Sequence, residues 1–369
     1  MSTDMSAKSK SRLNKLRRQI KQEGFDSLLV TNFKNVTYLT GFTGDDSYLL
    51  VTPKTEILLS DPRYTTQLEE ECPGITLEIR PPGTSILESV AKTAKKAKVK
   101  SLGFEANTMT VGTHLALAER VGNIALVSAG GLVENLREIK DKDEIGLIRE
   151  AVSMAEKAFS VLKASLLPQQ TEREIAANLE HEIRKYGGRG CSFPPIVAVG
   201  PRAALPHATP AEGRIEEAPF LLVDWGADYQ GYKSDITRVL FTGKAPAKMK
   251  KIYQVVLKAQ LAAIEKIKPG AKMSDVDHAA RSVIAKAGFD KYFGHGLGHG
   301  VGLDIHESPR LNALSDRPLE AGMVITIEPG IYLPGFGGVR IEDDVLVTRD
   351  GHEVLSGVPK EFEETQVGG

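Results

Sequence analysis

Glycine at Gly294, Gly296, Gly298, Gly300 and Gly302 constrains this chain more than any other feature; the run is GHGLGHGVGLDIHESP, from Gly294 to Pro309. The four-residue spacing of His295 and His299 would put both on one face of a helix. Each interior glycine, however, costs about 1 kcal/mol relative to alanine, so five of them argue strongly against a helix. Read as extended backbone, the segment has its glycines on one face and His295, Leu297, His299, Val301 and Leu303 on the other. Glycine in a strand lets another backbone or a ligand come close. With His306, three of the chain's eight histidines fall in this window. That density predicts a site, and neutral imidazole is a nitrogen ligand for first-row divalent metals.

Two further runs supply carboxylates. In PFLLVDWGADYQGYKSDITRVLFTG, from Pro219 to Gly243, an apolar strand ends at Asp224 and a second begins near Gly231. With Tyr229 and Gln230 at the centre of the turn, Asp224 falls opposite Asp235. Opposed side chains lie about 4.5–5.5 Å apart at Cβ, and carboxylates that close must share a proton or a metal. The bland alternative is a pair of solvated turn aspartates, and the flanking LLV and ITRVLF runs weigh against it. In MVITIEPGIYLPGFGGVRIEDDVLVT, from Met323 to Thr348, Val324, Thr326 and Glu328 share one strand face. A turn centred near Gly335 brings Glu328 level with Glu342. Glutamate is uncommon in strands and rarely buried unpaired, so an occupied acidic pocket is expected. Carboxylates with one or two histidines suit paired Mn²⁺, Co²⁺, Fe²⁺ or Zn²⁺ better than a structural cysteine-based zinc site.

The remaining chain frames these runs. At 369 residues, 41% apolar and 26% charged, it is long enough for two domains with real cores. The first 130 residues or so alternate strands (DSLLVT, YLTGFTGDDSYLLVT, EILLS, SLGFE, IALVS) with helices, the pattern of a small α/β domain. Longer amphipathic helices follow from about Asp143, with Thr171 and Glu174 opening a second and two more over Lys248–Ile267 and Ser274–Ala287. A formal net charge of -1 provides no attraction to nucleic acid or anionic membrane. Two cysteines, Cys72 and Cys191, far apart, point to a reducing compartment. The charged start has no apolar run behind it and no segment reaches membrane length, so a cytoplasmic protein is expected.

Asp224, Asp235, His299, Glu328 and Glu342, in that order and within VDWGADYQGYKSDITR, HGLGHGVGLDIHE, TIEPGIY and GVRIEDD, resemble the five metal ligands of the pita-bread metallopeptidases. NVTYLTGFTGDDSYLLV and LSDPRY resemble the creatinase/prolidase-type N-terminal domain. That favours the Xaa-Pro aminopeptidase and Xaa-Pro dipeptidase (prolidase) branch over methionine aminopeptidase. The resemblance covers nearly the whole chain. It implies an α/β N-terminal domain over residues 1–135 and an α+β pita-bread catalytic domain over residues 136–369. It also implies two divalent metals, Mn²⁺ first with Co²⁺, Zn²⁺ or Fe²⁺ as alternatives. Asp235 and Glu342 would bridge them, Asp224 completing one shell and His299 with Glu328 the other.

By the same resemblance, His207 in ALPHATP lies near the substrate nitrogen and the scissile carbonyl. His295 and His306 line the substrate pocket, Arg340 sits beside the bridging glutamate, and Tyr332 belongs to the pocket wall. The implied reaction is hydrolysis of the Xaa-Pro bond at the N-terminus of short peptides by a metal-activated water. Glu328 would shuttle the proton, and His207 or His306 would steady the intermediate. Short proline-containing peptides and a second copy in a homodimer are the expected partners, with no nucleic acid or membrane. Two rival classes remain: a catalytically silent peptide-binding relative, and a relative acting on a small molecule as a hydrolase or lyase. The complete ligand set argues against the first and against metal-free creatinase. Aminopeptidase and dipeptidase differ in whether a group beyond proline grips a terminal carboxylate, a choice left open here.

Overall fold

Short apolar runs at the start of the chain build a six-stranded mixed sheet in the computed structural model, which describes residues 6–367. The first five residues of the charged start, and Gly368 with Gly369, lie outside the described residues. The chain divides into two units, residues 1–137 and residues 138–369. Across the first unit's sheet the strands run Thr76–Ile79, Glu56–Ser60, Ser47–Val51, Ser27–Val30, Ser101–Phe104 and Ala125–Ser128. Leu29, Leu50, Leu59, Leu102, Val90 and Leu117 bury their side chains in one cluster against it.

One expectation in this unit is corrected. Tyr38, Leu39 and Thr40, read as the start of a β-like run, end the helix Phe33–Thr40. Asn32 caps its N-terminus by accepting from the Lys34 N–H, and Gly41 closes it at φ +88°. These local caps outweigh the β propensity of the aromatic and branched residues between them.

The second unit is α+β. The helix Lys142–Ser165 starts at a capping box of Asp141 and Glu144, and Glu172–Lys185 starts at one of Thr171 and Glu174. Helices Ala247–Ile264 and Met273–Lys286 turn Ile252, Val256, Val276 and Ile284 into a core shared with Ile325, Ile327 and Val345. The sheets these helices support carry the acidic residues. One holds Ile236–Phe241, Phe220–Trp225 and Ile196–Val199; the other holds Glu307–Leu311, Gly298–Gly300, Val324–Ile327, Asp343–Val347 and His352–Val354. Trp225 anchors the strand of Asp224: its ring stacks on Phe159 at 4.1 Å, and its indole N–H donates to the Ala155 carbonyl at 3.0 Å. Among the described residues no helix is long and apolar enough to cross a membrane.

The aspartate hairpin departs from its expected register. Asp224 pairs with Thr237 rather than Asp235, and Asp228 pairs with Lys233. The turn therefore centres on Gln230 and Gly231, at φ +51° and +89°, as a two-residue turn with positive φ at both positions requires. Asp224 and Asp235 become diagonal neighbours on one face, still within reach of a common ligand. In the glutamate hairpin Gly330 pairs with Arg340 and Ile327 with Asp343 around Gly335. That register sets Glu328 opposite Glu342.

The glycine run is regular strand only over Gly298–Gly300, with a bulge between His299 and Gly300. Its tight neighbours explain the composition. A Cβ at Gly298 would lie 1.9 Å from the Thr326 carbonyl oxygen, and one at Gly300 would lie 2.3 Å from that of Ser308.

Candidate metal centre

His299 is fixed first, because its surroundings assign its protons. Its Nδ1 lies 3.1 Å from the Gly300 carbonyl, which can only accept, so Nδ1 carries the hydrogen. Burial, and after it the nearby His306, lower the imidazole pKa to about 3, so the ring is neutral. Nε2 therefore presents a bare lone pair, 3.4 Å from Glu328 Oε1 and 3.6 Å from Asp235 Oδ2. A lone pair facing two carboxylates is repulsive unless a cation or a carboxyl proton stands between them.

The carboxylates repeat the signal. Donor atoms of Asp224, Asp235 and Glu342 lie within 4.8 Å of one another, as do those of His299, Glu328 and Glu342. A third group joins Asp235, His299 and His306. Glu342, Asp235 and His299 each belong to two of these groups, an overlap that fits two neighbouring centres sharing ligands. Asp224, Asp235 and Glu342 are buried, and Asp224 Oδ1 has no hydrogen-bond partner among the described residues. Burial pushes the Asp235 and Glu342 carboxyls well above the carboxylate range; the charges of Glu342, Asp224, Asp344 and Glu328 add to it at Asp235, and those of Glu328 and Asp224 at Glu342. The set is oxygen-rich with one nitrogen, the chemistry of paired divalent first-row metals.

One arginine balances part of this charge. Arg340 Nη2 donates to Asp224 Oδ2 at 2.5 Å, Nη1 donates to the Tyr332 hydroxyl at 2.9 Å, and Nε donates to Thr237 Oγ1 at 3.0 Å. Thr237 in turn donates to Glu342 Oε2 at 2.5 Å. The sequence reading missed Thr237, which is legible only once strand pairing sets it between Arg340 and Glu342. Asp344 was missed for the same reason: its Oδ2 accepts the Asp235 backbone N–H at 3.0 Å.

The other expected residues surround a cleft of about 1170 Å³ that contains all five acidic and histidine ligand candidates. His207, His295, His306 and Tyr332 line it. His295 Nδ1 faces the Gly296 carbonyl at 2.8 Å, and burial lowers its pKa to about 4. Its Nε2 must then accept from the Tyr332 hydroxyl at 3.0 Å, whose oxygen accepts from Arg340. His295 is thus a brace for Tyr332, with both ring nitrogens engaged. His306 packs edge-on against His299 at 4.4 Å. Arg310, which the sequence reading did not single out, also lines the cleft. It is exposed and has no hydrogen-bond or ion-pair partner among the described residues.

Residues 146–349 match Metallopeptidase family M24, and residues 12–139 match the Creatinase/Prolidase N-terminal domain. The chain belongs to metallopeptidase family M24. An uncharacterised peptidase of Bacillus subtilis is 40% identical to this M24 chain over 351 residues, 95% of the chain and 99% of the relative. Among solved structures it is similar to an Xaa-Pro dipeptidase from Bacillus anthracis, at TM-score 0.93 and 40% identity over 96% of this chain and 99% of that one. It is also similar to an X-Pro aminopeptidase from Thermotoga maritima, at TM-score 0.86 and 34% identity over 93% and 99%. The expected pairing of an α/β creatinase-type unit with a pita-bread unit holds. Membership makes this M24 chain an enzyme that works with divalent metal ions, and the donor set above fits them.

The charges predict how the metal-free M24 protein responds to pH. Burial raises Glu328 from 4.5 to about 8 and lifts Asp224, Asp235 and Glu342 as well. The folded state therefore holds protons that the unfolded chain has released, and this stabilisation is lost as pH rises through the folded values. His295 and His299 act oppositely, because their lowered pKa values cost stability only as pH falls below 6.5. Between pH 6.5 and about 8 the carboxyls alone decide. Chelated protein should melt at steadily lower temperature across that window. Protein saturated with divalent metal should not, because binding needs the ligands deprotonated. A melting temperature of the chelated form that climbs from pH 6.5 to 8 would contradict this account.

Proposed function

We propose that the chain is a dinuclear metal-dependent exopeptidase that hydrolyses the Xaa-Pro bond at the N-terminus of short peptides. The observation that carries the reading is that Glu342, Asp235 and His299 are each shared between neighbouring donor groups, with the bare Nε2 of His299 3.4 Å from Glu328 and 3.6 Å from Asp235. The printed names of the similar dipeptidase and aminopeptidase support the substrate class. In this reading Asp235 and Glu342 would be shared by two metal ions, Asp224 would help hold one, and His299 and Glu328 the other. The metals are Mn²⁺, with Co²⁺, Zn²⁺ and Fe²⁺ as the alternatives to separate by elemental analysis and reconstitution. The enzyme works in the cytoplasm as a homodimer.

The Xaa-Pro bond is a tertiary amide with no N–H, so the protein must recognise its carbonyl and its ends. Two divalent cations at this centre would lower the pKa of a bound water and polarise the scissile carbonyl. Glu328 lines the same cleft, so it would take the proton of the attacking water and return it to the leaving imino nitrogen. His207 and His306, both on the cleft wall, would serve as hydrogen-bond partners for charge developing on the substrate carbonyl. The acidic floor holds the substrate's free α-amine, which limits cutting to one residue from the end.

Arg310 favours the dipeptidase form of this activity. An exposed guanidinium without a carboxylate partner, on the strand beside His299, is ready for the terminal carboxylate of a bound dipeptide. Metal-loaded protein should cleave Xaa-Pro, and Arg310→Met should lower kcat/KM on that substrate roughly 10- to 100-fold. The amide-capped dipeptide should respond less than about threefold. Mass analysis of Xaa-Pro, Xaa-Pro-Yaa and Xaa-Ala digests checks both points. Equal cleavage of tripeptides, indifferent to Arg310, returns the aminopeptidase form; no cleavage of any peptide returns a non-peptide substrate.

A further inference from the structure

His207 sits on a part of the cleft wall that is neither strand nor helix, in the segment that follows Ile196–Val199 and the short turn Gly200–Ala204. A loop of this kind needs something to hold it, since a misplacement of about 1 Å at a reacting group costs on the order of 10²-fold in rate. We propose that Glu172 and Arg202 are a positioning pair that holds His207 at the mouth of the metal cleft. The idea rests on the reading above that His207 meets the substrate.

Glu172 is the first residue of the helix Glu172–Lys185, and its side chain is fully buried. Oε1 accepts from the Val199 N–H at 2.8 Å, before the loop. Oε2 accepts from the Ala211 N–H at 2.8 Å, after it. Arg202 Nε lies 3.0 Å from both oxygens and neutralises the carboxylate, while Arg202 Nη2 donates to the Thr209 carbonyl at 2.6 Å. The Glu172 backbone N–H also donates to the Gly213 carbonyl at 3.0 Å. A single buried carboxylate therefore ties both ends of the loop to the start of a helix. His207 lies between the tied ends. The Arg173 N–H also donates to the Ala211 carbonyl at 3.3 Å, Ala203 and Ala208 are buried in the core, and Arg340 Nη1 donates to the Pro206 carbonyl at 3.3 Å.

Glu172→Gln keeps the shape but turns one acceptor into a donor facing an N–H, so it opens the clamp with little loss of packing. In metal-loaded full-length protein this variant should lower kcat on an Xaa-Pro peptide by about 10- to 100-fold with KM within about threefold. Introduced into His207→Ala, the same change should cost less than about twofold, because the residue it serves is gone. Deuterium exchange should rise across residues 199–211 but not across Phe220–Trp225, and metal content should stay at the wild-type value. Equal losses in both backgrounds, or unchanged exchange over 199–211, would overturn the pair's role. If wild-type protein cleaves no Xaa-Pro peptide while Glu172→Gln still loosens 199–211, the peptidase reading fails and the clamp survives. Should Glu172→Gln not fold, Arg202→Met takes its place with the same readouts, and Arg202→Lys should recover part of the loss.

Discussion

Asp235→Asn and Glu342→Gln each lower metal-dependent peptide hydrolysis by on the order of 10³-fold or more, and each raises the melting temperature of the metal-free protein. The two effects have one cause. Asp235 is buried among Glu342, Asp224, Asp344 and Glu328, each of which disfavours its charge. Exchange for an amide of the same shape removes that repulsion in the absence of metal, so the empty site relaxes. The same exchange removes a ligand shared by two groups of donors, so neither centre keeps its full set. Metal stabilises the folded chain in proportion to the logarithm of its concentration over its dissociation constant, and that increment should shrink sharply in both variants. A folding defect would move both melting temperatures down, which makes the opposite signs diagnostic. The measurement is thermal unfolding with and without added Mn²⁺, with elemental analysis after desalting and an Xaa-Pro assay. Full activity in either variant would refute the bridging assignment.

The sequence carried the candidate donor residues better than it carried their arrangement. Gly335 centred the glutamate hairpin correctly because LPGFGG has an obvious turn position, and the pairing of Gly330 with Arg340 follows from it. The aspartate hairpin shifted by two residues because the turn uses Gln230 at φ +51°, a conformation that glutamine does not advertise. The glycine run disclosed an extended backbone through its helix cost, and its partners, the carbonyls of Thr326 and Ser308, supply the reason for that cost. The helix start at Thr171 could be read from its capping box, which spans only three residues, whereas the box of Asp141 and Glu144 was passed over for a start near Asp143.

Residues whose importance comes from distant contacts stayed hidden. Thr237, Asp344, Arg310 and Glu172 have no local pattern that separates them from ordinary strand or helix residues. Glu172 reads as one more acidic residue in a first helical turn, where the helix dipole favours it. Only the fold shows that its carboxylate reaches Val199 and Ala211, 27 and 39 positions along the chain. Long-range polar contacts of this kind depend on which elements become neighbours, and periodicity contains no record of that.

Arg340→Met should destabilise the metal-free protein by about 3–5 kcal/mol, the range expected when one partner of a buried ion pair is removed. Arg340 is almost fully buried, and it is the cation in hydrogen-bond contact with Asp224. Its loss leaves Asp224 Oδ2 without its donor beside an Oδ1 that already lacks one. The Tyr332 hydroxyl loses the donor that orients it toward His295, and Thr237 loses the one that fixes it against Glu342. Saturating divalent metal should restore a large part of the stability, because it returns positive charge to the same carboxylates. Arg340→Lys should not restore activity: a single ammonium cannot reach Asp224, Tyr332 and Thr237 at once, whereas the planar fork does. Urea unfolding with and without metal tests this, provided the slope is unchanged between variants so that the midpoint reports stability. A metal-free Arg340→Met protein within about 1 kcal/mol of wild type, inside the range of ordinary single substitutions, would show that the acidic cluster holds together without its arginine. The protons raised onto Asp235 and Glu342 would then have to supply the whole balance of charge, and the chelated variant should lose stability with rising pH more steeply than the parent.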